Sequence, residues 1–112
     1  MSLTARETKN KTSIKITIEI MSWLKEDFGY EGWGRLVIEE RISSGTSIWD
    51  LLHILADKYP RFGQKAFGDP KKDFFDYCAI VLNGTFISGI PSLNAELKEG
   101  DNLILSPGFY GG

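Results

Sequence analysis

Isoleucines alternate with polar residues near the start of the sequence. Over residues 13–21, one side of the pattern carries Ile14, Ile16, Ile18 and Ile20, and the other carries Lys15, Thr17 and Glu19. This period of two predicts a half-buried strand whose isoleucine face enters the core. After a polar, glycine-bearing connection over residues 25–34, the alternation returns with Leu36, Ile38 and Ile42. A first hairpin is the simplest interpretation.

The spacing of apolar residues changes to three and four after Gly45. Thr46 or Ser47 can cap a helix whose first turn carries Asp50. Its apolar stripe consists of Ile48, Leu51, Leu52, Leu55 and Tyr59, while Asp50, His53 and Asp57 fall on the other side. Pro60 ends this helix. Gly63, Gly68 and Pro70 then interrupt any periodicity over residues 61–77, which predicts a long loop that packs its aromatic side chains inward.

The rest of the sequence predicts short strands. An apolar run over residues 78–82 leads into Asn83-Gly84, a dipeptide typical of tight hairpin turns. Leu93 and Leu97 belong to an irregular crossing segment, and a last strand, terminated by Pro107, alternates Leu103 and Leu105 with polar residues. We therefore expect an α+β fold, a mixed sheet with one main helix across it. Residues 1–12 are expected to be a disordered lead-in, and residues 13–112 one domain with a mobile tail, 107–112.

Composition narrows the classes of partner. With 13 Lys and Arg against 15 Asp and Glu, the formal charge is -2, and no global positive field attracts nucleic acid. No apolar stretch approaches the roughly 20 residues that cross a bilayer, so we expect no membrane partner. A single cysteine and the lack of a secretory signal pattern fit the cytoplasm.

Conventional catalytic sites are poorly supported. His53 is the only histidine and is predicted on the solvent face of the helix. Cys78 begins an apolar strand without a neighbouring base, so we interpret it as core packing. The acidic residues Asp69, Asp73 and Asp76 lie in one segment with Lys71 and Lys72, which favours a solvated, charge-balanced face over a metal site. We therefore expect no bound cofactor and no metal.

The C-terminal segment is the remaining candidate. It reads Ser106-Pro107-Gly108-Phe109-Tyr110-Gly111-Gly112 and follows a strand directly. Glycine lacks a Cβ, so a tail ending in two glycines can enter a channel too narrow for side chains. Gly112 is then the reacting residue, through its carboxylate, and residues 107–111 form a partner-binding tail. The plain alternative is a frayed chain end.

Two internal segments accompany this tail. Together with it, Leu97-Lys98-Glu99-Gly100-Asp101-Asn102-Leu103-Ile104-Leu105-Ser106-Pro107 and Val81-Leu82-Asn83-Gly84 resemble the small subunit of molybdopterin synthase and its relatives. Trp23-Leu24-Lys25-Glu26 with Gly29, and Thr46-Ser47-Ile48-Trp49-Asp50-Leu51-Leu52 with Lys58-Tyr59-Pro60, are similar to that family's first turn and helix. The resemblance extends over about residues 14–112.

The resemblance implies a β-grasp, ubiquitin-like sulfur carrier. Its C-terminal glycine, Gly112 here, would be adenylated by an activating enzyme that uses ATP and then converted to a thiocarboxylate. The thiocarboxylate would enter the catalytic large subunit of molybdopterin synthase and give its sulfur to a pterin precursor of the molybdenum or tungsten cofactor. The chain would be a carrier without catalytic activity of its own.

Three departures from the family pattern leave the partner open. Residues 30–33 are inserted, residues 61–77 form a long aromatic segment, and Phe109-Tyr110 replaces smaller residues before the glycines. The alternatives are a thiamine-type sulfur carrier and a ubiquitin-like modifier that is joined through Gly112 to lysines of target proteins. A third possibility is an adaptor domain that is never activated.

Overall fold

A five-stranded mixed sheet forms the frame of the protein, which a computed structural model describes over residues 12–108. The strands are β1 (Ser13–Ile20), β2 (Leu36–Ser43), β3 (Cys78–Leu82), β4 (Thr85–Ile87) and β5 (Asn102–Pro107). Their order is β2-β1-β5-β3-β4, so the last strand along the chain occupies the centre of the sheet. β1 and β5 are parallel, and the other neighbouring strands are antiparallel. The predicted α+β fold with a mixed sheet is confirmed.

Helices cover one face of this sheet. They are α1 (Ile48–Lys58), α2 (Pro60–Phe67), α3 (Phe74–Tyr77) and two 3₁₀ helices, Ser22–Phe28 and Ile90–Asn94. α1 begins as predicted, because the Ser47 hydroxyl accepts a hydrogen bond from the Asp50 amide at 3.1 Å. The Asp50 carboxylate in turn accepts one from the Ser47 amide at 3.3 Å, which completes a capping box.

The core lies between α1 and the sheet. All four isoleucines of β1 are buried, as their alternation predicts, and the apolar stripe of α1 faces them. The core also includes buried residues of the other strands and helices: Leu24, Ile42, Phe62, Phe74, Cys78, Ile80, Leu93, Leu97, Leu103 and Leu105. One apolar cluster therefore holds the helices against the sheet.

Residues 61–77 differ from the loop that the sequence predicts. They contribute α2 and α3, and Pro60 both follows α1 and occupies the first turn of α2. Gly63, interpreted above as a helix breaker, lies inside α2. A Cβ at that position would lie 2.7 Å from the Ala56 carbonyl oxygen, so glycine is required there by the close approach of α1 and α2.

Two turns interlock at the beginning of β5. The Asn83 side-chain amide donates to the Asp101 carboxylate at 2.9 Å, and the Asn102 amide donates to the Asn83 side chain at 2.8 Å. The Lys98 amide donates to the other Asp101 oxygen at 2.7 Å. The two segments that carry the family resemblance, Asn83-Gly84 and the Gly100-Asp101 turn, therefore bind each other and fix where β5 starts.

The predicted lead-in, residues 1–12, lies outside the described residues except for Thr12. Among residues 12–108, none of the helices has the length and apolar character needed to cross a membrane.

The close approach of α2 to α1 gives a first prediction, which concerns whether Gly63→Ala raises or lowers the free energy of unfolding. In an exposed helix, Gly→Ala stabilises by about 1 kcal/mol through helix propensity. At Gly63 we expect the opposite, a loss of about 1–3 kcal/mol from overpacking against Ala56. Urea unfolding of Gly63→Ala measures it, with Gln64→Ala as the control on the same helix. A Gly63→Ala variant more stable than wild type would contradict the close contact.

Candidate functional site at the end of the central strand

β5 ends at a point where the chain is held by the neighbouring backbone. Pro107 is the last residue of the strand and is paired with Cys78. Gly108 follows it, is buried, and donates its amide hydrogen to the Tyr77 carbonyl at 3.0 Å. A Cβ on Gly108 would lie 2.7 Å from the Asp76 carbonyl oxygen and 2.8 Å from that of Phe75. Only glycine fits against this turn of α3.

This geometry corrects the predicted start of the tail. The sequence predicts a mobile segment from residue 107, but Pro107 belongs to the sheet and Gly108 is packed against α3. The segment available to a partner therefore begins no earlier than Phe109. Phe109, Tyr110, Gly111 and Gly112 lie outside the described residues, and their assigned roles remain predictions.

A buried carboxylate, that of Asp27, is linked to the end of β5 through Tyr77. The Asp27 side chain is only 2% exposed, at the end of the first 3₁₀ helix. One of its oxygens is 3.1 Å from Lys65 Nζ and 3.6 Å from Arg61 Nη2. The other oxygen accepts a hydrogen bond from the Tyr77 hydroxyl at 2.8 Å. These partners compensate the cost of burying the Asp27 charge.

Tyr77 remains a hydrogen-bond donor in this cluster over the whole neutral range. Burial raises the pKa of the Tyr77 hydroxyl, and the hydrogen bond to Asp27 raises it further. The phenol therefore keeps its proton and can donate it to Asp27.

A groove of about 370 Å³ opens beside Gly108. Its walls include Trp23 from the first 3₁₀ helix, Lys65 from α2, and Asp76 and Tyr77 from α3. Trp23 is 52% exposed, an unusual position for a large aromatic side chain. The strand end, the buried carboxylate and this groove together form the candidate site.

Sequence reasoning missed most of these residues. Asp27 fell within a predicted polar connection, and Arg61, Lys65 and Tyr77 fell within the predicted loop. One signal was present: Arg61 and Lys65 are four residues apart, the spacing that places two cations on one face of a helix. It becomes informative only once residues 60–67 are recognised as helical.

The other residues considered from the sequence lie elsewhere. Cys78 is fully buried, and burial raises the pKa of its thiol well above the ordinary range. His53 is exposed and stacks on Phe67 with ring centroids 4.2 Å apart. Asp73 caps α3 by accepting the Phe75 amide at 2.8 Å. No cluster of three potential metal ligands occurs within residues 12–108.

Solved structures with this fold include several modifier proteins. The small archaeal modifier protein 1 of Methanosarcina acetivorans has a TM-score of 0.63 and 25% identity, over 90% of this chain and 99% of the other. The protein of the same name from Haloferax volcanii has a TM-score of 0.66 and 21% identity, over 88% and 99%. A Pyrococcus furiosus protein described as "Putative molybdopterin converting factor, subunit 1" has a TM-score of 0.63 and 21% identity, over 85% and 98%.

These comparisons define the class of the protein. It has the β-grasp fold of ubiquitin-like proteins, and the structures it resembles include small archaeal modifier proteins and the Pyrococcus furiosus protein described above. The resemblance to the ubiquitin-like sulfur carrier and modifier family, first seen in its motifs, is thereby confirmed at the level of structure. No protein-family model matches the sequence. No curated protein matches it either.

The contact between Gly108 and α3 gives a second prediction. Gly108→Ala should lower the free energy of unfolding by about 1–3 kcal/mol, because its methyl group meets backbone carbonyls that cannot rotate away. Gly32→Ala is the matched control, since a Cβ there meets only the Tyr30 side chain, which can move. Equal urea midpoints for Gly108→Ala and Gly32→Ala would contradict the close packing of Gly108 against α3.

The environment of Cys78 gives a third prediction. At pH 8 its thiol should react with an aromatic disulfide reagent only as fast as the protein unfolds, because the buried thiol stays protonated and inaccessible. Absorbance of the released thiolate, followed with and without urea, measures the rate. Rapid reaction of the folded protein would show that Cys78 is accessible and that its interpretation as core packing is wrong.

Proposed function

We propose that the protein is a sulfur carrier of the molybdopterin synthase small-subunit type, which carries sulfur on the carboxylate of Gly112. The observation that supports this proposal most directly is the way the central strand ends. β5 is paired with β1 as far as Leu105 and with β3 as far as Pro107, and Gly108 is packed, so the segment after it starts from a rigid point. A carrier that delivers its end into a partner requires such a start.

The length beyond that point limits how the partner is built. With Gly112 as the reacting terminus, four residues, 109–112, follow Gly108, and fully extended they reach roughly 13–14 Å. Gly111 and Gly112 would occupy the narrow inner part of a channel, while Phe109 and Tyr110 would lie at its mouth. Aromatic side chains often anchor protein interfaces, so the mouth should be wide and partly apolar.

The proposed chemistry takes place on the partner enzymes. The Gly112 carboxylate attacks the α-phosphorus of ATP on the activating enzyme and expels pyrophosphate, which gives an acyl adenylate. A persulfide sulfur then attacks the acyl carbon and expels AMP. A second thiol cleaves the resulting acyl disulfide and leaves the thiocarboxylate. This protein contributes the acyl group and its position and is not itself an enzyme.

In the final step, the thiocarboxylate would enter the catalytic large subunit of molybdopterin synthase and transfer its sulfur to a pterin precursor. We place these reactions in the cytoplasm. No cofactor bound to this chain is required, since ATP binds to the activating enzyme.

A second candidate function is protein modification through the same residue. The structural neighbour with 25% identity is a modifier protein, and it matches nearly the whole of both chains. A modifier requires the same acyl adenylate, but lysine amines of target proteins then take the acyl group. Mass spectrometry of protein from its own cells distinguishes the two: replacement of one carboxylate oxygen by sulfur indicates a carrier, and lysine-linked conjugates indicate a modifier.

The fourth prediction concerns Gly112 itself. Its deletion should abolish ATP-dependent adenylation by the activating enzyme of the same organism, because the reacting carbon moves back by about 3.5 Å. The described core is untouched, so the melting temperature should stay within error of wild type. Release of labelled pyrophosphate measures activation, after an intact mass has established Gly112 as the terminal residue.

Cys78→Ser is the matched control, because it alters the only thiol of the chain but leaves the tail intact. We expect it to be adenylated and thiocarboxylated within about twofold of wild type, at a cost of about 1–3 kcal/mol for the buried hydroxyl. Normal activation of the chain that lacks Gly112 would refute the proposed function.

A further inference from the structure

Tyr77 connects Gly108, at the end of β5, to the buried carboxylate of Asp27. Its backbone carbonyl accepts the Gly108 amide at 3.0 Å, and its side-chain hydroxyl donates to Asp27 at 2.8 Å. Through Asp27 the same residue is tied to Lys65 and Arg61 on α2. One tyrosine thus connects β5, α2 and the first 3₁₀ helix, which are distant from one another in the sequence.

The hydroxyl of Tyr77 is not needed to neutralise Asp27. Lys65, at 3.1 Å, and Arg61, at 3.6 Å, already balance that charge from α2. The hydroxyl instead fixes the orientation of the Tyr77 side chain. It fixes the ring at one end, and through the ring it fixes residue 77, the carbonyl that holds Gly108. The ring also packs against Phe62, with centroids 5.9 Å apart, so residue 77 is held from two sides.

We infer that Tyr77 is a positioning residue that fixes where and in which direction the chain leaves β5 for activation. The inference rests on the proposed function. With Gly112 as the reacting terminus, which that function requires, only four residues follow Gly108, and they have little length in which to correct a wrong starting direction. Any freedom at Gly108 therefore spreads the possible positions of Gly112 and lowers the fraction that meets the activating enzyme correctly.

The test compares two tyrosine variants. Tyr77→Phe removes the hydroxyl and keeps the ring, and it leaves Asp27 paired with Lys65 and Arg61. Tyr59→Phe is the matched control: this ring also packs in the region, 4.8 Å from Phe28, and among residues 12–108 its hydroxyl has no hydrogen-bond partner. Each variant is compared with wild type by amide hydrogen exchange at Gly108 and by adenylation kinetics in which the carrier concentration is varied.

For Tyr77→Phe we expect faster exchange at Gly108 and a KM for the carrier raised about threefold to tenfold, with kcat within about twofold. The effect is on KM and not on kcat, because a tail that the activating enzyme has already bound is chemically the same in both proteins. Tyr59→Phe should match wild type in both measurements. A merely structural role would lower the melting temperature of Tyr77→Phe, speed exchange of the β1 core amides as much as that of Gly108, and leave KM unchanged.

The outcomes separate this inference from the proposed function. If wild type is adenylated and Tyr77→Phe has an unchanged KM, or an unchanged Gly108 exchange rate, the positioning role is refuted and the carrier function stands. If wild type with Gly112 at its terminus is not adenylated at all, the proposed function is refuted, and the positioning role falls with it.

Discussion

The pairing of β5 on both of its edges is the constraint on which the rest of the structure depends. β1 fixes it in parallel register and β3 in antiparallel register, so a shift of β5 by one residue would break the hydrogen bonds to both neighbours. The interlocked side chains of Asn83 and Asp101 set its first residue, and the contact of Gly108 with α3 sets its end. Because both ends are fixed, the direction in which the chain leaves the sheet is a property of the whole fold.

Local patterns predicted the parts of the fold that local interactions specify. The alternation of Ile14 to Ile20 gave β1, because a strand with one buried face must repeat every two residues. Ser47 and Asp50 marked the start of α1 because a helix end leaves amides that a nearby side chain can satisfy. Asn83-Gly84 marked a turn because both residues tolerate the positive φ observed there, 50° and 86°.

What the sequence did not reveal depends on contacts between distant residues. Glycine signals flexibility in one place and lack of space in another, and only the neighbouring atoms distinguish the two meanings. Gly63 was interpreted as a break and Gly108 as part of a mobile tail, yet both are glycine because another backbone lies against them. Asp27 likewise fell within a predicted polar connection, and its burial was not visible because its partners Lys65 and Tyr77 are more than thirty positions away in the sequence.

The parallel pairing of β1 with β5 also sets an order of events during synthesis. Thr17 pairs with Asn102, so the centre of the sheet stays empty until nearly the whole described chain has emerged from the ribosome. The hairpin of β1 and β2 can form early, but β3 and β4 are joined to it in the sheet only through β5. A nascent chain therefore cannot present a correctly directed C-terminal segment before it has folded. Folding of the domain and the ability to present that segment to a partner are therefore the same step.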